Sequence, residues 1–295
     1  MTCIKNKLGL AVLLAASVLC ASSAGVFAQA EQKHAVPAAA TPIQLDIVGE
    51  WTQGGLLTGT TASGNTVTIL GKHPSVASDG RFVFGLGRDA PPTVKVHITS
   101  SDGSETALQY TVKQRSYDIQ RIEGVEQKYV TPAPEVTARI QAEAALVWRA
   151  RQQISDANYF REGFLWPLIG EVTGVYGSQR VFNGVPKRPH FGLDIAGPVG
   201  AQVTAPAAGI VTLVHTDMYY SGGTLLIDHG QGVSSTFIHL SKVLVRESEK
   251  VARGQLIAEV GATGRATGPH LDWRINWFDQ RLDPFLLLPN TPYAQ

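Results

Sequence analysis

The 295-residue chain has almost no cysteine: Cys3 and Cys20 are the only two. That count excludes a disulfide framework and a thiolate-ligated metal site. An excess of one charge is also lacking. The formal net charge is +1, charged residues make up 17%, and no block of Lys or Arg occurs. A broad phosphate-binding face needs clustered Lys and Arg, so nucleic acid is excluded as a partner. Long helical patterns are few. The 30 Gly and 16 Pro point instead to strands and turns, and a hydrophobic share of 44% excludes wholesale disorder.

Long apolar runs are missing except for Leu8 to Leu19, which follows Lys5 and Lys7 and precedes Ala28-Gln29-Ala30. A positive start, an apolar stretch of about a dozen residues and an A-x-A site are the parts of a secretory signal. A membrane-spanning helix needs about 20 apolar residues. The reading is a signal peptide over 1–30 and no stable membrane span after its removal. Cleavage there takes away both cysteines and two lysines, leaving 23 basic and 24 acidic residues. An exported chain without thiols must hold its fold by packing alone.

The rest divides by pattern. Residues 31–41 are rich in Ala and Pro and read as a linker. Within 42–130, short alternating segments at Val67–Ile69, Arg81–Phe84, Thr93–Ile98 and Leu108–Val112 are separated by Ser-Gly-Asn and Ser-Asp-Gly turns. This predicts a small β-sandwich. Residues 131–160 hold a connecting helix, with Val136, Ile140, Val147 and Ile154 at helical spacing from Glu135 to Asp156. From 161 to 288 the pattern is β again, with strands expected at 202–205, 210–215, 224–228, 234–240, 255–260 and 271–277. No long helix interrupts them, so the prediction is a mainly β chain with a compact antiparallel C-terminal domain.

Five of the eight histidines fall in this last region, whereas His34, His73 and His97 are isolated. Without thiols a metal site must use imidazole and carboxylate, a donor set that suits zinc. In His190-x3-Asp194 a straight strand would hold the two residues roughly 13 Å apart, so only a bend around Gly192 could let them share an ion. In His270-Leu-Asp272, residues two apart share a strand face. The pair is either a metal-and-water group or the polar face of an edge strand. Alternation places Phe237 and His239 on one face and Ile238 and Leu240 on the other. His229 reads as a turn residue and His215 as a structural strand residue.

Taken in order, these pieces resemble the lysostaphin-type (LytM-domain) zinc metalloendopeptidases, which cut peptide cross-links of bacterial peptidoglycan. The resemblance rests on Pro189-His-Phe-Gly-Leu-Asp-Ile-Ala196, Ile227-Asp-His-Gly230, Phe237-Ile-His-Leu-Ser241, Val251-Ala-Arg-Gly-Gln-Leu-Ile257 and Gly261-Ala-Thr-Gly264 running to Gly268-Pro-His-Leu271. It implies a lysostaphin-type β domain over 161–288, part of it lipoyl-like. It also implies one Zn2+ per chain with His190 and Asp194 as ligands, and His239 and His270 as catalytic histidines. Asp272 falls where the family usually has a third ligand, His. The implied partners are peptidoglycan stem peptides, and the implied location is the periplasm. The implied bond joins D-Ala to diaminopimelate. Relatives that have lost ligands instead activate separate wall amidases, which is the alternative. With two carboxylates on the metal, the site's charge should fall near zero and the bound water should be less acidic than usual.

Overall fold

A computed structural model of the chain describes residues 43–124 and 134–289. The expected signal peptide, the linker and the entry to the connecting segment lie outside the described residues.

The fold is mainly β. Strands β1 (Leu45–Val48), β2 (Leu56–Thr61) and β4 (Arg81–Gly85) form one antiparallel sheet in the order β1-β2-β4. Strands β3 (Thr66–Ile69), β5 (Thr93–Thr99) and β6 (Glu105–Thr111) form another, β3-β5-β6. The alternation that marks β5 in the sequence is met: Val94, Val96 and Ile98 point inward, and Lys95 and His97 outward. They join Leu57, Val67, Ile69, Phe82 and Phe84 in the core. The chain leaves through β7 (Ile119–Ile122), which runs parallel to β9 (Gln179–Phe182). Strand β9 turns back into β10 (Val185–Pro186) at Asn183-Gly184, both at positive φ, the conformation a two-residue hairpin needs.

The single described α-helix, α1 (Pro134–Arg151), is shorter than its periodicity predicts. Leu146, Val147 and Ala150 pack on Leu213, Met218 and Leu226. Ile154, expected on that stripe, is half exposed. Beyond Arg151 the backbone is used elsewhere. The Ser155 carbonyl accepts from Gln231 N at 2.8 Å, and Ser155 Oγ donates to Asp228 Oδ2 at 2.5 Å. No described helix is long and apolar enough to cross a membrane.

The large sheet holds β8 (Val172–Gly174), β11 (Leu193–Ala196), β13 (Gly209–Met218), β14 (Gly222–Gly230), β15 (Val233–Val243), β16 (Lys250–Val251) and β18 (His270–Trp277). Their order is β16-β13-β14-β15-β18-β11-β8. β17 (Leu256–Val260) joins β15 and β12 (Gln202–Thr204), and β19 (Gln280–Leu282) pairs with β18. One face is sealed in the core by Leu225, Ile227, Phe237, Leu271, Trp273, Ile275 and Trp277. The opposite face carries Leu226 against Thr236 and Thr236 against Arg274. Helix α1 lies on this second face, over β13 and β14, and the candidate site lies on it farther along.

Candidate metal centre

Strands β11 and β18 are antiparallel, with Asp194 directly opposite Asp272. Leu193 and Ile195 are buried in the core, so period-two alternation turns Asp194 to the other face. His190 precedes the strand, and the chain bends through Phe191-Gly192. His190 Nε2 comes to 3.3 Å from Asp194 Oδ1, far inside the span of a straight strand. His190, Asp194 and Asp272 each offer a ligand atom, all within 4.8 Å of one another. Two glycines make room for the carboxylates. A Cβ on Gly192 would lie 2.0 Å from Asp272 Oδ1, and one on Gly174 would lie 2.2 Å from Asp194 Oδ2.

The group has the marks of a cation site. His190 Nε2 and Asp194 Oδ1 are shielded from solvent and, apart from facing each other at 3.3 Å without a well-formed hydrogen bond, have no partner. Such buried polar atoms are costly unless a partner arrives. Burial works against a charged His190, but the neighbouring Asp194 and Asp272 carboxylates prevail and raise its pKa. One nitrogen and two carboxylates are donors that zinc accepts.

Sequence reasoning missed Arg274. Its Nε donates to Asp272 Oδ1 at 2.9 Å and an Nη to Oδ2 at 2.5 Å, a two-pronged pair that is nearly fully buried on the Asp272 side. Burial pushes Asp272 toward the neutral acid, and the Arg274 guanidinium outweighs it and holds the carboxyl below its ordinary range. Only its position hints at this: Arg274 stands two residues after Asp272 on the same strand face. Its charge corrects the expected electrostatics. A divalent ion with two carboxylates sums to zero, and Arg274 returns the total to +1, the value for one carboxylate and two histidines. Each carboxylate oxygen gives one lone pair to Arg274, and a carboxylate has about four lone-pair sites. Asp272 therefore keeps capacity for a cation.

His239 overturns the simple alternation. Its φ is +66°, and the β14–β15 register shifts between Gly223/Leu240 and Leu225/Phe237. This is a β-bulge, which inserts an extra residue and re-aims its neighbours on the strand. Phe237 and Leu240 both reach the core, while Ile238 pairs with Asp272 and His239 swings to the site. Its ring centre lies 4.9 Å from that of His270. The two rings are tethered alike: His239 Nδ1 bonds the Thr263 carbonyl at 2.8 Å and His270 Nδ1 the Gly268 carbonyl at 2.8 Å. A carbonyl only accepts, so Nδ1 carries the proton in each, and Nε2 keeps its lone pair in the neutral ring. Nε2 of His270 lies 3.9 Å from Asp194 Oδ1. Burial lowers the pKa of His239 despite its bond to Thr263, so the neutral ring is favoured.

His229 is not a turn residue. It sits in β14 with no exposed surface. Nδ1 donates to the Ala208 carbonyl at 2.7 Å, and Nε2 meets Ser235 Oγ at 2.7 Å, which also accepts from Trp273 Nε1 at 3.2 Å. Burial pushes its pKa down to about 4. His215 lies in β13, where Nδ1 accepts from Asp217 N at 3.1 Å.

The stretch of chain that holds this arrangement is also the part that resembles known proteins. Residues 188–284 match the model of peptidase family M23. The chain is 41% identical over 98 residues to the peptidoglycan DD-endopeptidase ShyA of Vibrio cholerae, which is 32% of this chain and 23% of that one. It is 32% identical over 127 residues to the lipoprotein NlpD/LppB homolog of Pseudomonas aeruginosa, 43% of this chain and 40% of that one. The chain thus spans less than half the length of either relative. The crystal structure of a protein assigned to peptidase M23 from Pseudomonas aeruginosa superposes with a TM-score of 0.62 at 28% identity, over 81% of this chain and 95% of that one. The match begins two residues before His190 and runs past Asp272, so the candidate metal centre lies within a stretch, residues 188–284, that is similar to the LytM-type domain of peptidase family M23.

Proposed function

We propose that the protein is an exported zinc endopeptidase that hydrolyses peptide cross-links of peptidoglycan, at the bond between D-Ala and diaminopimelate. The carrying observation is the convergence of His190, Asp194 and Asp272 within 4.8 Å, beside two histidines tethered through Nδ1. Relatives named peptidoglycan DD-endopeptidases support the substrate, and the signal-like N-terminus supports the periplasm. In this reading 42–130 is a sandwich domain, 131–160 a connector and 161–288 the peptidase.

His190, Asp194 and Asp272 would hold one zinc, which would supply Lewis acidity toward water and the scissile carbonyl. The remaining chemistry belongs to the chain. The Nε2 atoms of His239 and His270 are the proton-handling atoms: one takes the proton of the attacking water, and the other supports the oxyanion or protonates the leaving amine. The Thr263 and Gly268 carbonyls fix both tautomers. Arg274 fixes the orientation of Asp272.

A second reading, an inactive relative that activates a wall amidase, draws on Asp272 in place of His and on its engagement by Arg274. Zinc content separates the two. Elemental analysis after metal loading should give about one zinc in the wild type and far less in His190→Ala. Equal zinc in both, or none in either, rejects the metallopeptidase.

A further inference from the structure

On the sheet face that carries Asp194 and Asp272, β15 and β18 continue away from the cluster as Thr236 beside Arg274 and then Ser234 beside Asn276. Arg151, the last residue of α1, comes down onto this row and donates to Thr236 Oγ1 at 3.0 Å. Arg281, opposite Asn276 on β19, donates to Asn276 Oδ1 at 3.2 Å. Three donors in the row are shielded from solvent and make no hydrogen bond: Arg151 Nε, Ser234 Oγ and Asn276 Nδ2.

The charge is as unbalanced as the hydrogen bonding. Burial together with repulsion from Arg281, Arg274 and Arg188 holds Arg151 well below the usual arginine range. Burial, Arg274 and Arg188 bring Arg281 down to about 10. Among the described residues, the ion pair of Arg274 with Asp272 is the only one that any of these four arginines makes. Partly buried cations without a counter-ion and buried donors without a partner are costly, and an anion from outside relieves both costs at once.

We propose that this row is a subsite for a free carboxylate of the peptide substrate, held by Arg151 and Arg281 with Ser234 and Asn276 as neutral donors. At a strand rise of about 3.3 Å per residue, Arg274 stands roughly 7 Å and Asn276 roughly 13 Å along β18 from Asp272. The carboxylate then sits about two to four extended residues from the bond being cut. The inference rests on the peptidase reading and adds a substrate class to it: peptides with a free carboxylate on one side of the scissile bond, in preference to amidated ones.

The test is calorimetric titration of the zinc-supplemented chain with a linear, uncross-linked stem peptide that has free carboxylates, and with its amidated counterpart. The wild type should bind the acid form at least about tenfold more tightly. Arg151→Met should bring the two affinities together, and Arg151→Lys should recover part of the difference. Ser234→Asp, which seats a carboxylate inside the row, should also abolish the preference; it decides the matter if circular dichroism shows that Arg151→Met is unfolded. Equal affinity of the wild type for both peptides, binding of neither, or a preference that survives in a folded Arg151→Met or in Ser234→Asp overturns the subsite. Cleavage of cross-linked peptide is scored separately. An intact acid preference without any cleavage overturns the peptidase reading and leaves the subsite standing.

Discussion

Asp272 meets Arg274 through two parallel hydrogen bonds, at 2.9 and 2.5 Å, while it stands directly opposite Asp194 across β11 and β18. One buried carboxylate thus serves a partly buried arginine on one side and faces the candidate metal centre on the other.

The two roles are separable. Asp272→Ala strands a partly buried guanidinium, and leaving such a group without its partner costs about 1–3 kcal/mol. It should lower the unfolding midpoint and also abolish zinc binding. The double variant Asp272→Ala/Arg274→Met removes both charges and should recover most of the lost stability without regaining zinc. Denaturant melts and elemental analysis of the pair check this. Full zinc in the double variant would show that Asp272 is only Arg274's counter-ion.

His239 has a left-handed backbone, which asparagine tolerates better than most residues. His239→Asn should therefore fold and keep its zinc while losing about 10²- to 10⁴-fold in turnover. Near-normal turnover would move the proton transfer to His270 alone.

Gly192 is fixed by space: a Cβ there meets Asp272 Oδ1 at 2.0 Å and Arg274 Cγ at 2.9 Å. Gly192→Ala should displace the Asp272 carboxylate and weaken zinc binding by about tenfold or more. Competition against a chelator of known affinity measures this, and unchanged affinity would mean that Asp272 does not contribute.

His229 gives the fold a specific acid sensitivity. Its folded pKa is about 4 against an ordinary 6.5, so the unfolded chain takes up the proton first. Stability is unaffected above pH 6.5, falls as the pH drops from there to about 4, and loses about 3 kcal/mol over that window. His229→Gln should be less stable at neutral pH because its buried bonds to Ala208 and Ser235 change, but should show a flatter decline between pH 6.5 and 4. Denaturant melts across this range give both slopes; equal slopes would exclude His229 as the source.

Much of the fold and site is legible in the sequence, and the gaps have physical causes. Strands such as β5 and β18 announce themselves by alternation or by an apolar run between turn residues. Strand β11 does not: its four residues follow Pro189 and Gly192 and are not among the expected strands, although they place Asp194. Strand spacing alone demands a bend at Gly192 if His190 and Asp194 are to meet, and the bend is there. The bulge at His239 is hidden, because alternation carries no sign of a residue at positive φ. Arg274 is hidden among ordinary strand residues because it is not itself a ligand type; it acts through Asp272. Helix α1 stops short because Ser155 bonds Asp228 and Gln231, a long-range match that helical periodicity cannot reveal. His229 reads as a turn residue beside Gly230, yet the buried hydroxyl of Ser235 claims it.

The central claim is hydrolysis of a peptide cross-link by this site. The direct measurement is digestion of purified cross-linked peptidoglycan by the zinc-loaded chain, with fragments identified by mass spectrometry. The account predicts that cross-linked dimers fall to monomers with a new free D-Ala carboxyl and a new diaminopimelate amine, and that this product vanishes with a chelator and in His190→Ala. Dimers that persist in the presence of bound zinc, or release of stem peptides from the glycan without loss of cross-links, would contradict it.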